Sequence, residues 1–240
     1  MDRILPLEDA DSSLVVERSF KKRGVAVFTG ATVENAAIGD RLIELKFKDK
    51  KGVDQNLEVE HVLSAVGRIP NTGDLGLEAT GVALDDQGFF VVDEYMRTNV
   101  PKIYAVGDCV GKQLLAHKAM HEGVVCVESI AGTGHGPVDY ENVPNCTYCN
   151  PEVASVGLTE AQAREKGFDV AIGKFPWLGN GRAVTAGHVE GFVKVIRDKK
   201  YSEMLGAHIV GPHATELIGE FVVGRHLEAT VEEMDRAIHR

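Results

Sequence analysis

The stretch IYAVGDCVGKQLLAH, residues 103–117, has the pattern of a strand that runs into a loop and then a helix. Ile103, Tyr104, Ala105 and Val106 form a short apolar, partly β-branched run with the length of a buried strand. Gly107 and Asp108 end it, and Leu115, Ala116 and His117 open a helical pattern that continues to about Ala131. A carboxylate at the carboxyl end of a strand, followed by the bare N–H groups of a helix start, suits a cofactor bound at the edge of an α/β sheet. Aspartate is also a common turn residue, so an ordinary strand–loop–helix connection accounts for the spacing equally well.

The wider context of this stretch carries a resemblance. TNVPKIYAVGD, residues 98–108, is similar to the second flavin motif of the pyridine nucleotide-disulfide oxidoreductases. Leu115-Ala116-His117-Lys118-Ala119 with Glu122-Gly123 most resembles the dihydrolipoamide dehydrogenases within that superfamily. The resemblance implies that Asp108 hydrogen-bonds the ribityl chain of FAD and that Leu114, Leu115, Ala116 and His117 lie against the flavin ring. A helix start near the pyrimidine side would stabilise negative charge on a reduced flavin.

Composition narrows the setting. The chain has 240 residues, 44% of them hydrophobic, enough for one large domain or two ordinary ones. A formal net charge of −10, with acids and bases interspersed, argues against nucleic-acid binding and attraction to membrane surfaces. No apolar run approaches the roughly 18 residues needed to span a bilayer, and the start lacks a signal-peptide core. Cys109, Cys126, Cys146 and Cys149 are too few and scattered for a disulfide scaffold. A reducing compartment is expected, the cytoplasm or, in a eukaryote, the mitochondrial matrix. Both ends read as cut.

The fold class expected is α/β and α+β, with partial FAD/NAD(P)-binding Rossmann-like segments followed by an α+β dimerisation domain. Residues 1–66 are expected to be the carboxyl-terminal part of an NAD-binding domain. Residues 9–22 have helical periodicity, 25–28 read as a short buried strand, and 31–37, 42–48 and 57–66 read as further strands. The resemblance carries Val33 to a contact with the adenine and Gly67 to a close backbone approach to NAD. By residue type alone Val33 reads as core. A dinucleotide site needs a glycine-rich turn after its first strand. No GxGxxG occurs; the near misses at 132–134 and 179–184 read as loops.

Residues 67–138 are expected to be the returning part of the FAD-binding domain. They open on Gly67-Arg68-Ile69-Pro70-Asn71, which matches the GRxPN junction of the same superfamily. Residues 89–92 read as an apolar strand. His117 and His121 share one helix face at a zinc-compatible spacing, but the set lacks further ligands.

Residues 139–240 are expected to be an interface domain through which the chain forms a homodimer. Residues 143–159 are similar to its entrance. Strands are expected at 169–175, 191–197 and 203–210, a long helix after Pro212, and capping boxes at Thr159/Gln162 and Thr230/Glu233. Cys146 and Cys149 have CxxC spacing, but strand-like flanks place their side chains on opposite faces and do not suit a redox pair.

By resemblance, the parent is a flavoprotein that oxidises protein-bound dihydrolipoamide with NAD, through FAD and an active-site disulfide, and docks on lipoyl domains of 2-oxo acid dehydrogenase complexes. The CxxxxC pair of these enzymes is not in this chain. Ile238, His239 and Arg240 align with the start of a closing His-x-His-Pro segment, so the catalytic histidine would be the next residue and His239 does not take that role. Without the His–Glu pair no general acid serves the dithiol. No catalytic residue is therefore expected here, and the chain alone is expected to be inactive and to purify without flavin. A mercuric- or glutathione-reductase-like flavoprotein, or a non-catalytic dimerisation module, are the alternatives.

Overall fold

The computed structural model describes residues 1–134 and 136–238. His239 and Arg240 lie outside the described residues. The chain divides into two compact units: Met1–Leu63 together with Glu141–Arg240, and Ser64–Tyr140.

The first unit is built on a five-stranded antiparallel sheet. Its strands are β4 (Asn145–Thr147), β5 (Val153–Gly157), β6 (Val170–Pro176), β7 (Phe192–Asp198) and β8 (Met204–Val210), in the order β4-β5-β8-β7-β6. β8 is central, and all seven of its residues are buried, as its continuous MLGAHIV run requires of a strand covered on both faces. β7 alternates buried and half-buried residues, the signature of period two.

Two helices supply the covers. α5 (Ala214–His226) packs Ala214 and Ile218 against Ala154, Val156, Ala207 and Ile209. α1 (Ala10–Lys22) packs Val16 on Val153, Phe192 and Val210. α1 starts where Asp9 caps it, its carboxylate accepting from the Asp11 N–H at 3.0 Å. Its buried face is Ser12, Ser13, Val16 and Ser19, small residues at helical spacing. A third cluster joins Leu158, Ala163, Val170, Ile196 and Leu205 under the short helix α3 (Glu160–Glu165). Gly206 is pinned there, since a Cβ at that position would stand 2.1 Å from the Leu158 carbonyl oxygen.

The same unit holds a three-stranded antiparallel meander of β1 (Thr32–Ile38), β2 (Ile43–Lys48) and β3 (Asp54–Val59). Both expected capping boxes form, Thr159 with Gln162 and Thr230 with Glu233, the latter opening α6 (Val231–Arg236).

Five expectations fail. Residues 25–28 are not a strand, and β3 ends at Val59, so the second half of the run expected at 57–66 is irregular. Residues 89–92 and 103–106 contribute only the isolated bridges Leu84–Phe90 and Arg97–Tyr104. Each is an apolar run that lacks a continuous strand edge to pair with among the described residues. Residues 179–184, read as loop, instead turn helical at Gly181 and begin the helix α4 (Gly181–Ala186), because the Asn180 side chain accepts from the Ala183 N–H at 3.0 Å.

The second unit has one long helix, α2 (Ala116–Ala131), closed by Gly132 in the left-handed conformation. The rest is bridges, turns and short 3-10 segments. Among the described residues no helix is long and apolar enough to cross a membrane.

Candidate functional site

Asp108 stands on a tight turn between Gly107 and Gly111. Val110 N–H bonds the Gly107 carbonyl at 3.1 Å, and Gly111 N–H bonds that of Asp108 at 3.1 Å. Gly107 has φ +87° and ψ −153°, a conformation that side chains exclude. The turn is half a strand–turn–helix unit: the helix is present, and the preceding segment is held by the Ala105 N–H bond to Met96 and the Arg97–Tyr104 bridge.

The Asp108 carboxylate pairs with the Arg68 guanidinium, which also donates to the Leu114 carbonyl at 3.2 Å. The two side chains are 43% and 61% exposed, so separating them costs about 1 kcal/mol or less. Asp108, Leu114, Arg68, Asn71 and Phe89 line a cleft of about 280 Å³. A neighbouring cleft of about 510 Å³ shares Phe89 and Leu114 and adds Val91, Gly111 and Lys112. The larger falls within the range of about 300–1,000 Å³ usual for small-molecule sites, and the smaller just below it.

Leu115 is the N-cap of α2 and supplies no side-chain hydrogen bond; no acid lies in the first turn. Its leading N–H groups therefore lack a capping carboxylate from their own helix. Ala116 and His117, the first two helical residues, are exposed. Asp108, Leu114, Leu115, Ala116, His117 and Gly67 all fall in the second unit, whereas Val33 falls in the first.

Gly67 has φ +132°, and a Cβ there would meet nothing within 4 Å. Val33 is not core: it is 64% exposed on a strand whose seven residues are all exposed. The reading from residue type fails there because β1 is paired with β2 but covered on neither face.

Sequence reasoning missed what supports the turn. Lys118 and Glu122, on adjacent turns of α2, are both 0% exposed and 3.1 Å apart. Lys118 Nζ donates to the carbonyls of Gly107 at 3.1 Å and Gly111 at 3.3 Å. Glu122 accepts from the Gly107 N–H at 2.7 Å and from the Tyr140 hydroxyl at 2.7 Å. Burial, then the bond to the Glu122 carboxylate, push the Tyr140 phenol above its ordinary range. The signal lay in plain sight as a Lys–Glu pair four apart, which on a helix ordinarily reads as a solvated ion pair.

The four cysteines are free thiols, and burial pushes each above its ordinary value, so none is poised as a thiolate nucleophile. Among the described residues no group of three or more His, Cys, Asp or Glu side chains is arranged to hold a metal ion.

A turn that presents a carboxylate beside an uncapped helix start, with a second domain built on an antiparallel sheet, meets its match in known sequences. The signature described as "Pyridine nucleotide-disulphide oxidoreductase" matches residues 1–123, and that of the dimerisation domain of the same enzymes matches residues 143–240. The chain belongs to the pyridine nucleotide-disulphide oxidoreductase family.

Its similar relatives are more particular. It is 48% identical over 239 residues to a dihydrolipoyl dehydrogenase of Rhizobium etli, aligning 99% of this chain with 50% of that protein. It is 44% identical over 240 residues to one from Mycobacterium tuberculosis, aligning 100% with 52%. The chain spans about half the length of the curated relatives it matches. Among solved structures, LpdA from Mycobacterium tuberculosis superposes with TM-score 0.91 at 31% identity, covering 100% of this chain and 51% of that one. The flavoprotein disulfide reductase RclA from Escherichia coli superposes with TM-score 0.89 at 27% identity, covering 98% and 53%.

Proposed function

We propose that this chain is the flavin-returning and dimerisation portion of a dihydrolipoyl dehydrogenase, and that its own residues position cofactors without performing the chemistry. The observation that carries the reading is the Gly107–Gly111 turn, which holds Asp108 at a cleft mouth beside the uncapped start of α2. When bound, FAD supplies electron transfer between a dithiol–disulfide pair and NAD. Asp108 accepts a hydrogen bond from a ribityl hydroxyl, for which its weak, exposed pair with Arg68 is readily exchanged. Residues Leu114, Leu115, Ala116 and His117 lie against the ring, and the first N–H groups of α2 favour negative charge there. The open space above Gly67 suits the close approach of NAD, and the exposed Val33 offers an apolar contact for adenine.

Residues 1–66, 67–138 and 139–240 correspond, on this reading, to the returning parts of the NAD and FAD domains and to the interface domain. The last makes a homodimer, and the whole enzyme serves lipoyl domains in a reducing cytoplasm, where four free thiols persist. Exposed Val66, Ile69, Met120 and Val127 in the second unit are the kind of apolar surface that the rest of a flavin domain covers.

The test is a titration of the purified chain with FAD, followed by flavin fluorescence, beside a lipoamide–NAD turnover assay. The chain is expected to purify colourless, to bind added FAD weakly but saturably, to lose that binding on Asp108→Ala, and to show no turnover. Turnover by this chain alone, or FAD binding that ignores Asp108→Ala, would overturn the reading.

A further inference from the structure

Lys118 and Glu122 are an oppositely charged pair sealed from solvent in the second unit, both 0% exposed, and neither belongs to the cofactor contacts just assigned. A buried ion pair is a poor source of cohesion, since apolar side chains of the same volume do as well or better. What distinguishes this pair is where its remaining hydrogen bonds go. Two of the three Lys118 protons are spent on the main-chain carbonyls of Gly107 and Gly111, at 3.1 and 3.3 Å, and the third on Glu122. Glu122 in turn takes the Gly107 N–H at 2.7 Å on one oxygen and the Tyr140 hydroxyl at 2.7 Å on the other.

Both polar groups of Gly107 are thus gripped, and both ends of the five-residue turn are tied to the same helix. Asp108 is the residue between those ties. Its side-chain partner Arg68 is exposed and exchangeable, whereas its backbone is clamped from beneath.

We infer that Lys118, Glu122 and Tyr140 are positioning residues that lock the Gly107–Gly111 turn in advance, so that Asp108 meets its ligand in one fixed orientation. The inference rests on the cofactor reading of Asp108 for its purpose, but the clamp itself is testable without any cofactor. Pre-fixing the turn spares the binding step the cost of ordering it.

The experiment compares the unsubstituted chain with Lys118→Met, Tyr140→Phe and the double variant Lys118→Met/Glu122→Leu. Amide hydrogen exchange of peptides covering 107–111 is read together with thermal stability and FAD affinity. Lys118→Met strands the Glu122 carboxylate and is expected to lower stability and protection together. The double variant removes both charges and is expected to recover most of the stability. It still leaves the Gly107 N–H and the Gly111 carbonyl without partners, and the Gly107 carbonyl with the Val110 N–H alone, so exchange in 107–111 stays at least tenfold faster and FAD affinity at least tenfold weaker than in the unsubstituted chain. Tyr140→Phe keeps the Lys118–Glu122 pair and is expected to give an intermediate increase in exchange.

A double variant with unsubstituted-like protection of 107–111 overturns the inference. So does a double variant in which FAD affinity is unchanged. A chain that protects 107–111 through these residues yet never binds FAD sustains the clamp and overturns the cofactor reading alone.

Discussion

Removing the Lys194 ammonium should unfasten α1 from the sheet of the first unit. Its Nζ lies 2.9 Å from Asp9, 3.1 Å from Asp11 and 3.0 Å from Glu160. The three carboxylates would not suffer equally. Asp11 keeps Lys174 at 3.0 Å, Glu160 keeps Arg164 at 2.9 Å, and both are about a third exposed. Asp9 is 3% exposed and retains only N–H donors, from Asp11 at 3.0 Å and Glu160 at 3.3 Å. Lys194→Met therefore leaves one buried, uncompensated charge, for which the cost is about 3–5 kcal/mol. For a chain of this size that corresponds to a fall in Tm of roughly 6–20 °C.

Trp177 is the single tryptophan, and its indole donates to the Val210 carbonyl at 2.6 Å in the same unit. Equilibrium unfolding in urea at pH 7, followed by its fluorescence, reports the loss where it occurs. Adding Asp9→Asn removes the stranded charge while keeping a residue that caps α1 well. The double variant should therefore be more stable than Lys194→Met alone by about 1–3 kcal/mol, a coupling of the size expected for contacting residues. A Lys194→Met chain within about 1 kcal/mol of the unsubstituted one, or a double variant no more stable than the single, would refute the reasoning.

Three further outcomes follow. Burial raises the Glu8 carboxyl, a bond with Ser155 offsetting it only in part, whereas for Asp9 the opposing push of burial is outweighed by Lys194 and its other neighbours, which hold it below the carboxylate range. Glu8 thus contributes stability in acid that is lost as pH rises through its raised folded value, and Asp9 the reverse. Glu8→Gln should raise the urea midpoint at pH 7.5 and leave it nearly unchanged at pH 4; a stabilisation greater in acid would contradict the sign. His208 is held below its ordinary value by burial, so the unsubstituted chain should also begin to lose stability as pH falls below about 6.5. Sedimentation at micromolar concentration should show a dimer, and a monomer alone would count against residues 139–240 as an interface.

What could be read from sequence was what closes within a few residues. The capping boxes at Thr159/Gln162 and Thr230/Glu233 are each settled by two hydrogen bonds inside four positions. β6, β7 and β8 fall within a residue of expectation, because their apolar runs find neighbours in the same unit. Runs 25–28, 89–92 and 103–106 have the same composition but gain at most a one-residue bridge. A strand is a property of two segments, and a single run cannot announce its partner. Val33 was misjudged and Lys118 missed for the same reason. Burial is decided by distant packing, which leaves a valine exposed on β1 and a lysine sealed under α2.

Those two buried lysines separate cohesion from placement. Lys194 is satisfied by three side-chain carboxylates, all of which could in principle be exchanged, together with it, for apolar residues of similar volume. Lys118 is satisfied by one carboxylate and two peptide carbonyls, and no substitution removes a peptide group. An apolar replacement at Lys194 and its partners can therefore rebuild the first unit. At Lys118 and Glu122 it leaves Gly107 and Gly111 needing water or a new fold of the turn. A charge kept where cohesion alone would favour leucine is thus most simply explained by the backbone it holds, and here that backbone carries Asp108.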